Sequence, residues 1–179
     1  MGDELDKVEK AAGEGRNFDR PPLHLWHPPL TGDIDIRIAA DGTWYHESAP
    51  IRRESLVALF ASILRREEDG GYYLVTPAEK WRIAVELHPL IVTDVEPVGE
   101  EGGPILRARI NTGRTVDIGE EHPLFLEPAV GGIAAVQLWH GLSALFSRAA
   151  WYRLVEMARE HDGVLTVVSG EYVFPLQQG

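Results

Sequence analysis

Asp33 and Asp35 stand two residues apart in the stretch GDIDIRIAADGTWYH. If that stretch is a β-strand, alternate residues share a face, and the two carboxylates could hold a divalent cation or divide acid and base roles between them. A third ligand would complete such a site. His122 is the candidate, and the result would be a metal-assisted hydrolase. The plainer alternative, and the preferred one, is the solvent face of a hairpin. There Ile34, Ile36 and Ile38 fill the core and Arg37 pairs with Asp35.

Other groups could also do chemistry. His24 and His27 in HLWH could join His88 or His122 in a nitrogen-rich metal site, but the Pro pairs on either side are expected to forbid the turn that would bring the two imidazoles together. The histidines therefore read as structural or solvated, and His140, beside Trp139, as a ring packed in mid-helix. TPAEK at 76–80 sets Thr76, Glu79 and Lys80 in one short turn stiffened by Pro77, and turns held by rigid strands are where binding groups commonly sit. An exposed ion pair at a hairpin tip is the competing reading. Arg52 and Arg53 could form an anion site with a helix N-terminus, while Arg65 and Arg66 complement both a helix C-terminus and the carboxylates of Glu67 and Glu68. GEEGG has no Lys-Ser/Thr continuation, and neither G-x-G-x-x-G nor G-x-S-x-G occurs. No catalytic residue and no cofactor is assigned.

Periodicity sets the helices and strands that carry these groups. Residues 1–20 mix charge with Gly and Ala and read as a mobile tail. PPLHLWHPPL forces an extended path anchored by Trp26. Asp41-Gly42 turns the first hairpin toward Trp44. ESLVALFASILRR places Leu56, Leu59, Phe60, Ile63 and Leu64 at helical spacing and is expected to stop at Asp69-Gly70. YYLVT, WRIAVEL and LIVTDVEPV are strands, and ILRARINTGRTVDIG is a second hairpin turning at Thr112-Gly113. A long helix is expected from about Ala134 to His161, carrying Leu142, Leu145 and Phe146 and stopping at Asp162-Gly163; VLTVVS and EYVFPL close the chain as strands.

LVALF at 56–60 and LSALF at 142–146 thus echo one another. With matching hairpins and matching Asp-Gly stops, the echo argues for a repeated motif. ELHPLIV and EEHPLFL repeat as well, as a device for opening a strand.

Composition bounds the rest. The 179 residues are 44% hydrophobic and 25% charged, which suits a globular protein with room for two small lobes. A net charge of −11 opposes binding to nucleic acid or anionic lipid, both of which need Lys and Arg against phosphate. The absence of Cys removes thiolate chemistry. MGDELDKVEKAAGEG is not a secretory signal, so the cytoplasm is the expected address, and no membrane span is expected.

WHPP, the string from GDIDIRIAADGTWYH to TPAEK, and INTG with VDIGEEHPL together resemble the uncharacterised proteobacterial family known as domain of unknown function 1285. The resemblance covers Pro21 onward and thins in the last third. It implies a two-lobed α+β protein built from recurring motifs, with a role in signalling or ligand sensing, and it supplies no catalytic residues. The polar positions shared with the family pattern are Asp33, Asp35, Arg37, Thr76, Glu79, Lys80, Asn111 and Asp117.

The expected fold is α+β and roll-like: two small lobes, 21–86 and 87–179, each a β-hairpin followed by an amphipathic helix and further antiparallel strands. The second lobe is mostly β with one long helix. The expected function is a non-enzymatic module that binds a small molecule or a protein partner in a groove between the lobes, perceived there as a signal. Asp33, Asp35, Arg37, Thr76, Glu79, Lys80, Asn111 and His122 are its expected ligand contacts. The hydrolase and a protein-interaction scaffold are the alternatives. Exposed hairpin edges could pair two copies into a homodimer.

Overall fold

A computed structural model of the chain describes residues 2–14, 20–99 and 103–177. Two compact units emerge: residues up to Pro89 together with His140–Leu142, and Leu90–Trp139 together with the chain from Ser143 onward.

The first unit opens with helix α1 (Gly2–Glu14), where a mobile tail was expected. Leu5, Val8 and Ala12 are spaced by three and four residues, and Val8 and Ala12 are buried. Glu9 pairs with Arg53. This short apolar stripe is legible only once it has a surface to cover, here helix α2 (Glu54–Ser62). The rest of the expected tail, 15–19, lies outside the described residues.

Six strands form the sheet of this unit: β1 (Leu30–Ile38), β2 (Trp44–His46), β3 (Ala49–Pro50), β4 (Leu64–Arg66), β5 (Tyr72–Val75) and β6 (Lys80–Val85). Their order is β3-β2-β1-β6-β5-β4, antiparallel except where β1 runs parallel to β6. In β1, Ile34, Ile36 and Ile38 are buried and Asp33 and Asp35 exposed, the alternation the sequence predicts. Trp44 and Phe60, stacked with centroids 6.4 Å apart, fill the core.

Helix α2 stops at Ser62, whose hydroxyl donates to the Leu59 carbonyl at 2.6 Å, well short of the expected stop at Asp69-Gly70. Leu64–Arg66 leave the helical pattern because β5, buried at all four positions, offers them a complete ladder of partners. Pairing across the sheet here overrides helical spacing.

The second unit holds β7 (Leu90–Val98), β8 (Ile105–Ile110), β9 (Thr115–Asp117), β10 (Leu124–Glu127), β11 (Ile133–Gln137) and β12 (Ser143–Phe146), in the order β10-β11-β12-β7-β8-β9. Strand β7 runs parallel to β12. The arrangement of β1–β6 is thereby reproduced: two three-stranded antiparallel meanders, joined by the first strand of one lying parallel to the last strand of the other. Helix α3 (Arg148–Met157) follows, capped by the Ser147 hydroxyl accepting from the Ala150 amide at 3.2 Å. A separate sheet of β13 (Arg159–His161), β14 (Val164–Ser169) and β15 (Tyr172–Pro175) closes the chain.

The fold is thus α+β with two sheet-rich lobes of repeated topology, but LSALF does not carry the repeat. It is the fully buried strand β12, whereas LVALF is helical. The expected helix from Ala134 to His161 is two strands, a turn, α3 and a further short strand. His140 (φ 53°) and Gly141 (φ 71°) adopt left-handed backbone that no α-helix can accommodate. The HPL echo does mark strand openings, since Leu90 begins β7 and Leu124 begins β10. Among the described residues, no helix is long and apolar enough to cross a membrane.

Candidate functional site

A cavity of about 700 Å³ lies in the first unit. One wall comes from the proline-rich segment. Pro21 and Pro22 do not forbid a turn, as expected, but lead into one: Leu23–Leu25 is a 3-10 turn, with the Leu25 amide donating to the Pro22 carbonyl at 2.9 Å and the Trp26 amide to the Leu23 carbonyl at 3.1 Å. Proline suits the start of a turn, where its missing N–H is not needed. His24 and His27 both face the cavity, beside the Pro28 ring.

The opposite wall is the end of β4 and the turn after it. Arg65 Nη1 donates to the Leu23 carbonyl at 2.8 Å and to the Trp26 carbonyl at 2.9 Å, tying the proline-rich segment to β4. Its Nη2 donates to Glu67 Oε1 at 2.8 Å, and Lys80 Nζ, from β6, donates to both Glu67 oxygens at 3.2 and 3.1 Å. The side chains of Arg65, Glu67 and Lys80 are only 13, 25 and 17% exposed, so the network is held in place and carries one excess positive charge. Burial by itself would raise the Glu67 carboxyl, but the hydrogen bonds from Arg65 and Lys80 more than offset it and hold the group below its ordinary value.

Asp69 sits in the turn. Its carboxyl accepts from the Tyr73 hydroxyl and from the Gly71 amide, and these two bonds hold it below its usual range. Gly71 is close-packed, since an added β-carbon would lie 2.8 Å from the Tyr73 hydroxyl oxygen. Arg66 lies with its guanidinium 5.3 Å from the centre of the Tyr72 ring, and Glu68 is exposed. Neither of these two forms an ion pair among the described residues.

The last wall is His140, which the sequence reading packed into a helix. The left-handed backbone at His140 and Gly141 turns the chain so that Gly141 meets the Arg66 backbone.

The residues expected to bind ligand are scattered relative to this cavity. Lys80 lines it. Asp33 is 74% exposed and lies 3.4 Å from Arg82; Asp35 is exposed nearby on the same strand face. Arg37 pairs with Glu86 at 2.6 Å rather than with Asp35, and its guanidinium lies over Tyr45. Thr76 is buried and closes its turn, its hydroxyl accepting from the Glu79 amide at 3.1 Å, while Glu79 accepts from the Trp81 indole at 3.2 Å. Asn111 and His122 belong to the second unit. The Asn111 side chain accepts from the Ile91 amide at 3.1 Å beside the irregularity between Val92 and Asp94, and His122 Nδ1 lies 3.0 Å from the Gln137 carbonyl. No group of three His, Asp or Glu side chains is placed to hold a metal ion among the described residues.

Sequence reasoning missed Arg65 through Asp69 as a site because it assigned them to a helix end. The available signal was Asp69-Gly70-Gly71 between LRR and the apolar YYLV, which is also a hairpin turn. A second cavity, of about 570 Å³, lies in the second unit with Asp117, Glu120, Glu121 and Glu171 on its wall. Asp117 is engaged by Arg107 at 2.6 and 3.1 Å, which lowers its carboxyl.

Two family profiles match successive parts of the chain. "Domain of unknown function (DUF1285), N-terminal domain" matches residues 21–87, and "Protein of unknown function (DUF1285), C-terminal domain" matches residues 89–176. Among solved structures, a DUF1285 family protein from Silicibacter pomeroyi DSS-3 is similar with a TM-score of 0.81 and 39% identity, covering 92% of this chain and 93% of its own. A DUF1285 family protein from Shewanella baltica OS155 is similar with a TM-score of 0.57 and 28% identity, covering 68% of this chain and 90% of its own. No curated protein matches the chain.

Proposed function

The chain belongs to the DUF1285 family, and on that premise we propose that it is a binding module without catalytic activity, whose small-molecule ligand occupies the cavity of the first unit and is read as a signal. The observation that carries the reading is the Arg65–Glu67–Lys80 network. A cavity of about 700 Å³ falls in the range of small-molecule sites, and here its wall is fixed before any ligand arrives. A net charge of −11 works against nucleic acid as the ligand. The hydrolase alternative draws less support, because Asp33 is engaged by Arg82 on an exposed strand face.

A thermal-shift screen of the purified chain against metabolites tests this. A bound organic ligand at a hundred times its Kd adds about 2.7 kcal/mol and raises the midpoint by several degrees. Arg66→Ala should shrink that shift and change the unliganded midpoint only slightly, since Arg66 is exposed and its bond to the Gly70 carbonyl is long. A silent metabolite screen alongside a protein partner that binds Arg66→Ala as well as wild type would sink the proposal.

A further inference from the structure

We propose that the cavity of the first unit takes a small zwitterion of the amino-acid or short-peptide class, its carboxylate held by Arg66 and its ammonium by Glu68 and Asp69. This rests on the binding function proposed above and names its ligand class.

The charges on the wall divide by what already occupies them. Arg65 spends one nitrogen on two backbone carbonyls and the other on Glu67, and Lys80 spends its ammonium on the same carboxylate. These three are closed on one another and largely out of solvent. Arg66 is differently placed, with a single long bond of 3.4 Å to the Gly70 carbonyl and its planar fork otherwise open. That fork matches a carboxylate. Glu68 is exposed, and Asp69, although it accepts two hydrogen bonds, keeps further lone pairs for an ammonium.

Both signs of charge therefore stand on one short run of chain at the cavity surface. A simple anion would meet Glu68 and Asp69 there, against a protein of net charge −11. A simple cation would meet Arg66 and the excess positive charge of the buried network. Like charges in a binding site are costly, and a ligand with one charge of each sign avoids both penalties. His24 and His27 add ring nitrogens able to donate or accept, which suits the amide and side-chain groups of such a molecule.

The test is calorimetric titration of the full chain with the protein amino acids and alanyl-alanine, then with the N-acetyl and carboxamide derivatives of the tightest binder. Removing either charge should weaken binding about tenfold or more. In Arg66→Gln the acid and its carboxamide should bind alike, and in Glu68→Gln combined with Asp69→Asn the free amine and its N-acetyl form should bind alike. If a variant fails to fold, the derivative comparison on the wild-type chain still decides. Derivatives binding as tightly as the parent, or glutarate or inorganic phosphate binding in its place, would overturn the ligand class and leave a small-molecule site standing. Absence of binding by these probes and by every metabolite in the thermal screen would remove both proposals.

Discussion

Gly141 lies against the backbone of Arg66 so closely that a β-carbon on Gly141 would sit 3.0 Å from the Arg66 carbonyl oxygen and 3.2 Å from its Cβ. With φ at 71°, the position is closed to other residues on two counts. Gly141→Ala should destabilise the chain by roughly 1–3 kcal/mol, from left-handed strain plus displacement of the β4 backbone. Gly131→Ala is the control: its φ of 73° is similar, but nothing lies within 4 Å, so only the conformational cost of about 1 kcal/mol applies. Denaturant midpoints of the two variants separate strain from crowding. Equal losses would contradict the close approach.

Glu67 makes stability depend on acid. A carboxyl whose folded value is lowered stabilises the fold above its unfolded value and loses that contribution as pH falls through the lowered one. Arg65 and Lys80 lower Glu67 from an ordinary value near 4.5, so its contribution is complete at neutral pH and disappears in acid. Glu67→Gln should be less stable than wild type at pH 7, and the gap should narrow as the pH falls below the ordinary carboxyl value of 4.5. Urea unfolding at a series of pH values measures it. A gap that stays constant would contradict the ion network.

Ser169 is buried, and its hydroxyl accepts from the Leu106 amide at 2.8 Å while donating to the Ile118 carbonyl at 2.7 Å. Ser169→Ala strands both backbone groups away from water. A loss of about 2–6 kcal/mol is expected, at about 1–3 kcal/mol for each unsatisfied group. Ser169→Gly should be similarly costly, which a simple loss of packing would not produce.

Phe60 and Phe146 end the two LxALF segments, one on a helix and one on a strand, and both are almost fully buried. Truncating either to Ala should cost about 3–5 kcal/mol. Hydrogen exchange distinguishes their settings. The Leu145 amide should be protected by the ladder linking β12 to its neighbours, and Pro substitution at Ala144 should abolish folding of the second unit.

The alternation of Ile34, Ile36 and Ile38, the Asp41-Gly42 and Thr112-Gly113 turns, and the HPL openings were legible in the sequence because each depends on spacing or on a local backbone requirement. Lys80 lines the cavity of the first unit, and its place just beyond the turn at Pro77 was legible for the same reason. Thr76 and Glu79 were equally visible, but the turn consumes their polar atoms. The expected long second helix does not form, because Leu142, Leu145 and Phe146 suit a helix face and a buried strand equally well and the left-handed backbone at Gly141 breaks the helical path. His24, His27 and Arg65 converge through hydrogen bonds between residues about forty positions apart, which no local pattern records.

The α+β class, most strands and turns, and the acidic balance were therefore legible from the residues alone. These follow from apolar periodicity, glycine and proline chemistry, and charge, all of which act locally or sum over the chain. Which of two similar segments became helix and which strand, the shared topology of the two meander pairs, and the meeting of Arg65, Glu67, Lys80 and three histidines at one cavity emerge in the folded chain alone. Those outcomes depend on which surface each segment finds to bury against, and burial is settled by the whole fold.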